Sequence, residues 1–304
     1  MNKVVVICGP TGIGKTRFAI QVSQEFNGEI ISADSMQVYK FLDIGTAKPD
    51  ARELAAARHH LVDFLDPKQD FDAGMYVNAA DKAIKDIVNS GRLPIVAGGT
   101  GLYIKALIHG LFRSYPVNAR VIEKYMKQVQ EKGPEHLHER LTQCDPESAQ
   151  KIHAHDTFRV VRALEIFETN GVRMSACQKE HQFGQKRYET LKIGLHMDRK
   201  ILYERINRRV DVMIQQGLYE EVLHLIENGY SPDLKSMQSI GYKHMALYIK
   251  GIVDWDEAVR LLKRDSRRYA KRQFTWFNKD TDIHWLGHDR FDTASDLIKE
   301  FLTS

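Results

Sequence analysis

The segment Gly9–Thr16, GPTGIGKT, constrains this chain more than any other. It matches the phosphate-loop pattern G-x-x-x-x-G-K-[ST] and has the flanks that pattern needs. The apolar, β-branched run Val4–Cys8 precedes it, and the helical spacing of Phe18, Ala19 and Val22 follows. In the order strand, glycine loop, helix, the loop amides and the positive helix end converge on one anion, a diphosphate or longer. The expected phosphate-binding set is Gly9, Pro10, Thr11, Gly12, Ile13, Gly14, Lys15 and Thr16. Lys15 would reach the terminal phosphate and Thr16 would hold Mg²⁺. The fold class that follows is α/β, a P-loop NTPase-like parallel sheet flanked by helices.

Two more strands are predicted to end beside this loop. Glu29–Ala33 runs into Asp34, Ser35, Met36 and Gln37, and a carboxylate just past a parallel strand lies at the edge where open α/β sheets bind ligands. A turn or helix-capping role is the alternative for Asp34. Pro94–Ala97, entered from a helix over Met75–Asn89, ends in Gly98, Gly99, Thr100 and Gly101. A nucleotide-hydrolysing enzyme would place an aspartate there to organise Mg²⁺ and water. The chain therefore reads as binding phosphates without hydrolysing them.

The 304 residues allow one large domain or two ordinary ones, and 43% hydrophobic residues suffice for a core that needs no staples. Cys8, Cys144 and Cys177 have no C-x-x-C spacing and read as free thiols. The first residues run straight into the phosphate-loop strand, and no apolar segment approaches the ~20 residues of a membrane span. A cytoplasmic protein without a signal peptide or membrane contact is expected. From Pro116 the texture turns helical and charged, until a strand returns at Leu191–Met197. The expected organisation is a core of residues 1–115 and 190–304 with a helical insertion at 116–189. In that insertion Asp156 should cap a helix running to Asn170, with Arg159 and Arg162 outward.

The net charge of +4 is small but uneven. Arg260, Arg264, Arg267 or Arg268, and Lys271 recur at helical spacing and lead into Arg272, Phe274, Trp276 and Phe277. A basic stripe next to aromatics suits a phosphate backbone and unstacked bases. The remainder of the C-terminal part reads as mostly helical. The paired histidines His59 with His60, His136 with His138 and His153 with His155 lack companions at metal spacing.

Taken together, the segments GPTGIGKT, Asp34–Tyr39 (DSMQVY), Asp43–Pro49 (DIGTAKP), Arg58–Asp63 (RHHLVD), Gly98–Tyr103 (GGTGLY), Arg159–Glu165 (RVVRALE), Gln238–Lys243 (QSIGYK) and Lys271–Phe277 (KRQFTWF) resemble the bacterial tRNA dimethylallyltransferases, in order and over nearly the full length. The resemblance implies transfer of a dimethylallyl group from its diphosphate to the exocyclic amine of the adenine 3′ of the anticodon, in tRNAs reading codons that begin with U. The partners implied are the tRNA anticodon stem-loop and dimethylallyl diphosphate, the cofactor Mg²⁺, and the working unit a monomer. Asp34 would be the general base, Thr100 would orient the reactants, and Lys15 would stabilise the leaving diphosphate.

The same resemblance assigns RNA contact to Asp34, Ser35, Met36, Gln37 and Thr100. In the insertion it assigns Arg120, Phe158, Arg159, Val160, Val161 and Arg162. In the C-terminal part it assigns Gln238, Ser239, Ile240, Gly241, Tyr242, Lys243, Lys271, Arg272, Gln273 and Trp276. Two positions depart from the family pattern: Thr157 stands where a proline is usual and Asn278 where an arginine is usual. The zinc-finger extension of eukaryotic relatives has no counterpart here, so zinc is not expected. Competing readings are an adenylate dimethylallyltransferase acting on free AMP or ATP, a P-loop small-molecule kinase, and a non-catalytic RNA-binding protein with a nucleotide switch.

Overall fold

A computed structural model of the chain describes every residue except 112–114, 116 and 182–185. It divides into two compact units, Met1–Ile108 with Arg187–Ser304, and His109–Lys186. The insertion start expected at residue 116 lies outside the described residues.

The first unit is built on a parallel sheet. Its strands are β1 (Lys3–Cys8), β2 (Gly28–Ala33), β3 (His59–His60), β4 (Leu93–Gly98), β5 (Glu189–His196) and β6 (Ile283–Gly287), in spatial order β3-β2-β4-β1-β5-β6. All five pairings are parallel, and β1 lies at the centre with Ile7 opposite Ala97 on one side and Ile193 on the other. A strand covered on both faces is an unbroken apolar run, which is what Val4–Cys8 is. Helices α1 (Lys15–Glu25), α2 (Ala51–Ala56), α3 (Ala73–Asn89) and α4 (Gly101–His109) belong to the first half. Phe18, Ala19 and Val22 of α1 pack on Val5, Ile7 and Ile95, and Ala80, Ile84 and Ile87 form the buried stripe of α3.

The second unit holds α5 (Ala119–Lys132), α6 (Pro134–Cys144), α7 (Pro146–Lys151), α8 (Thr157–Asn170) and α9 (Met174–His181). It has its own core, in which Tyr125, Leu137, Leu141, Val160, Leu164 and Ile166 are buried. Asp156 does cap α8, accepting from the Arg159 amide, and Gly171 ends the helix in the left-handed region at φ 69°.

After β5 the chain continues as α10 (Arg199–Gln215), α11 (Leu218–Glu227), α12 (Tyr242–Ile249), α13 (Trp255–Phe277), β6 and α14 (Phe291–Thr303). The expectation of a mostly helical C-terminal part omitted β6, which extends the sheet beside β5 with Ile283 opposite Lys192. The buried Lys192 ammonium is paired there with Asp280 at 2.7 Å. Among the described residues no helix is long and apolar enough to cross a membrane.

Candidate active site

The phosphate loop takes its shape from three glycines with φ of 143° at Gly9, 79° at Gly12 and 104° at Gly14. Side chains rarely adopt such angles, and at Gly9 a Cβ would also meet the Leu195 carbonyl oxygen at 2.9 Å. Gly14 caps α1 without any side-chain acceptor, which leaves the first helical amides for an anion. Lys15 is partly buried, and its Nζ donates to the Pro10 carbonyl at 2.9 Å. Desolvation lowers its pKa from 10.5 to about 8, against the opposing pull of the Asp34 carboxylate. A bound phosphate would supply the partner that this charge lacks.

The Thr11 amide, by contrast, is already engaged. It donates to Gln273 Oε1 at 2.8 Å, while Gln273 Nε2 donates to the Gly99 carbonyl at 2.9 Å. Gln273 is buried and bridges α13, the phosphate loop and the end of β4. Gln273, expected to contact RNA, makes this bridge and also lines the smaller cavity described next.

Two cavities adjoin here. One, of about 230 Å³, is lined by Gly12, Gly14, Lys15 and Thr16. The other, of about 430 Å³, has an apolar wall of Met36, Ile206, Val210, Met213, Ile240 and Leu262. Both are lined by Thr11, Asp34, Thr46, Ala47, Arg209 and Tyr269, so an anion site and an apolar site share a wall that carries a carboxylate and a guanidinium. Asp34 Oδ1 accepts from the amides of Met36 at 2.9 Å and Gln37 at 3.3 Å, and its other oxygen takes no hydrogen bond among the described residues. Asp34 therefore both forms the turn and lines the two cavities. Thr100 Oγ1 accepts from the Ser35 amide at 3.1 Å, tying the end of β4 to the Asp34 turn.

Arg209 and Tyr269 were not anticipated. The Arg209 guanidinium is half-buried, and desolvation pulls its pKa down while Asp34 pulls it up. The Tyr269 phenol, beside Thr100 and Gln273, is pushed far up by burial first and by the Asp34 charge second. The signal for Arg209 was its spacing: it falls on the inward face with Leu202, Ile206, Val210 and Met213, where an arginine is out of place unless it serves a site.

The end of β4 explains the missing hydrolytic carboxylate sterically. A Cβ at Gly98 would lie 2.2 Å from the Ala33 carbonyl oxygen, and one at Gly99 would lie 2.2 Å from Gln273 Nε2. At Gly98 a side chain would collide with fixed backbone, and at Gly99 it would displace the Gln273 bridge. Among the described residues no group of three His, Cys, Asp or Glu could cage a metal. What remains, the Thr16 hydroxyl beside a phosphate cradle, suits a Mg²⁺ bound chiefly through substrate phosphates.

The residues expected to contact RNA separate into three groups. Asp34, Ser35, Met36, Gln238, Ser239, Ile240, Lys243 and Arg272 converge on the larger cavity, and Gln37 lines the smaller one. Lys271 and Trp276 are exposed on α13, with the Trp276 ring against Gly101. Arg120, Phe158 and Arg159 are exposed on the helical unit.

Five others have structural partners instead. Val160 and Val161 are buried in the core of the helical unit, and Gly241 and Tyr242 are packed against Gly45. Arg162, expected to point outward, bonds the wholly buried Glu165 carboxylate and donates to the Tyr115 carbonyl at 2.7 Å. The basic stripe is likewise partly neutralised: Arg260 pairs with Glu257, Arg264 with Asp265, and Arg267 donates to Asn207.

These pairings give opposite expectations for two neighbouring arginines. Arg162→Ala should cost about 3 kcal/mol of stability, because it strands a buried carboxylate. Arg159→Ala should cost well under 1 kcal/mol, since its pairing with Asp156 is exposed. Chemical denaturation of both variants checks this, and equal midpoints would refute the assignment.

A family model described as IPP transferase matches residues 37–280. The chain is 48% identical over 301 residues to a tRNA dimethylallyltransferase of Desulfosudis oleivorans, covering 99% of this chain and 96% of that one. It is 46% identical over 300 residues to one of Acetivibrio thermocellus, covering 98% and 96% respectively. Among solved structures, a tRNA delta(2)-isopentenylpyrophosphate transferase of Staphylococcus epidermidis superposes with a TM-score of 0.72 at 42% identity, covering 99% of this chain and 100% of that one. A eukaryotic dimethylallyltransferase acting on tRNA superposes with a TM-score of 0.77 at 30% identity, covering 96% of this chain and 75% of that one.

Proposed function

Since this chain belongs to the IPP transferase family, we infer that it transfers a dimethylallyl group to the exocyclic amine of the adenine 3′ of the anticodon, in tRNAs reading codons that begin with U. The donor is dimethylallyl diphosphate. The observation that carries this reading is the shared wall of the two cavities, where Asp34 and Arg209 stand between a phosphate cradle and an apolar chamber. An allylic diphosphate has one end for each: a polyanionic head for the loop and an apolar tail.

The reaction joins the adenine nitrogen to the allylic carbon and breaks the bond from that carbon to the diphosphate oxygen. The electron pair of the broken bond leaves with the diphosphate, where Lys15, the loop amides and Arg209 stabilise it. Mg²⁺, held by Thr16 and the phosphate oxygens, would add charge neutralisation on the same oxygens. The proton of the amine passes to Asp34, whose second oxygen is uncommitted among the described residues. Thr100 fixes the turn that carries it. An adenine extruded from the anticodon loop would enter the larger cavity, with Gln238, Ser239, Lys243 and Arg272 at its wall. The working unit we propose is a monomer.

The test is incubation with dimethylallyl diphosphate, Mg²⁺ and tRNA made without modifications, followed by mass analysis of the nucleosides. The expected result is an adenosine heavier by one isoprene unit, mapping beside the anticodon. Labelling of free AMP in place of tRNA, or ATP consumption without donor, would overturn it.

A further inference from the structure

Residues 43–45, in the DIGT segment, present three successive backbone amides to a single carboxylate. Glu221 of α11 accepts from the Asp43 amide at 3.3 Å and the Ile44 amide at 2.9 Å through Oε2, and from the Gly45 amide at 3.3 Å through Oε1. The phenol of buried Tyr242 donates to the same Oε1. A Cβ on Gly45 would come within 2.4 Å of the Tyr242 ring, so the loop is pressed against α12 as well as tied to α11. From the other side Lys48 Nζ donates to the Tyr39 carbonyl at 2.8 Å and to Asp63 at 2.8 Å.

This loop needs holding. Phe41 at φ 65° and Ala47 at φ 48° both lie in the left-handed region, which is disfavoured by roughly 1–2 kcal/mol for a residue with a side chain. Its far end forms part of the site: Thr46 and Ala47 line both cavities, and their carbonyls accept from Gln37 Nε2 at 3.3 and 3.1 Å. Gln37 in turn accepts from Ser32 Oγ at 3.2 Å through Oε1, which fixes the orientation of its amide beside Asp34.

We propose that Glu221 is a positioning residue for the transfer reaction: its grip on the amides of residues 43–45 sets the wall shared by the two cavities and thereby the approach of nucleophile to electrophile. It touches neither reactant. The inference rests on the reading that the donor spans the two cavities and meets the adenine in the larger one. Misplacement of a reacting group by about 1 Å costs on the order of 10²-fold in rate, so a loosened wall should act on the chemical step rather than on binding.

The experiment compares wild type, E221A and E221Q as full chains, by amide hydrogen exchange and by transfer kinetics with dimethylallyl diphosphate and tRNA. In E221A, exchange at residues 43–45 should accelerate at least tenfold with the sheet core unchanged. The single-turnover rate should fall by roughly 30- to 100-fold, with KM for the donor and Kd for tRNA within about threefold of wild type. E221Q keeps one acceptor oxygen and should recover part of both losses. It also carries the test if E221A fails to fold.

If exchange accelerates while the rate stays within about threefold of wild type, the positioning role is wrong. It is equally wrong if the rate falls with exchange at 43–45 unchanged. A wild-type protein with no transfer activity would remove the reaction assignment, and the positioning role with it. An active wild type with an equally active E221A removes the positioning role alone.

Discussion

Replacing Lys15 with methionine should lower single-turnover prenyl transfer about 10³-fold. The side chain is partly buried, with a carbonyl as its hydrogen-bond partner, and lines the cavity that the phosphate loop encloses. In such a site a charge aimed at the leaving oxygens is not diluted by water, and loss of one such group typically costs 10²- to 10³-fold. Methionine keeps the length and the apolar stem, so the loop should survive.

Lys15 also gives the reaction a pH signature. With its pKa lowered to about 8 in the free protein, the ammonium is present below that pH, and the affinity for inorganic diphosphate should weaken as pH rises past 8. Stability moves the other way. Between about 8 and the usual 10.5 the unfolded chain binds the proton that the folded chain has lost, so unfolding free energy rises with pH across that window. Lys15→Met should abolish both trends. Calorimetric titration of diphosphate from pH 7 to 9.5 checks the first, and a wild-type affinity independent of pH would refute the assignment.

Asp34→Asn should lower the chemical step by about 10²- to 10⁴-fold, the usual size of general-base assistance. An adenine amine donates its lone pair into the ring and is a poor nucleophile until its proton departs. Asparagine preserves the acceptor that holds the amides of Met36 and Gln37, so the turn and both cavities should persist. Diphosphate and tRNA affinities should therefore stay near wild type. Rapid-quench measurement on a preformed complex isolates this step, and a rate within about threefold of wild type would reduce Asp34 to its turn-forming role.

The features most legible in the sequence were those with a local pattern. The central strand β1, the loop after it, α1 and the glycine-rich end of β4 all follow from apolar runs and glycine spacing that need no distant information. The less legible features depended on partners far away in the chain. Gln273 bridges to residues 262 and 174 positions away, and no helical spacing could announce that. Arg162 looked outward by periodicity, yet Glu165 three residues on and the Tyr115 carbonyl draw it inward. Strand β6 has five residues, of which only Ile283 is buried, too weak a run to stand out after a long charged helix. Arg209 was legible in principle, as a cation on an apolar face, although the exposed Arg205 and Arg208 beside it have the look of ordinary basic surface.

The sheet's central position for β1 has a further consequence for how the chain reaches this state. Strand β1 is among the first segments synthesised, yet one of its two neighbours, β5, begins at Glu189, beyond the helical unit. Until then one edge of Val4–Cys8 has no ladder partner and is open to pairing with other chains. The helical unit has its own core and can fold during that interval, and the Arg187 amide then bonds the Ile108 carbonyl at 2.8 Å where the chain re-enters the sheet. A fast-folding helical unit thus shortens the time during which nascent β1 is exposed, whereas changes that slow it, even far from any reactant, should first lower the yield of folded protein from the ribosome.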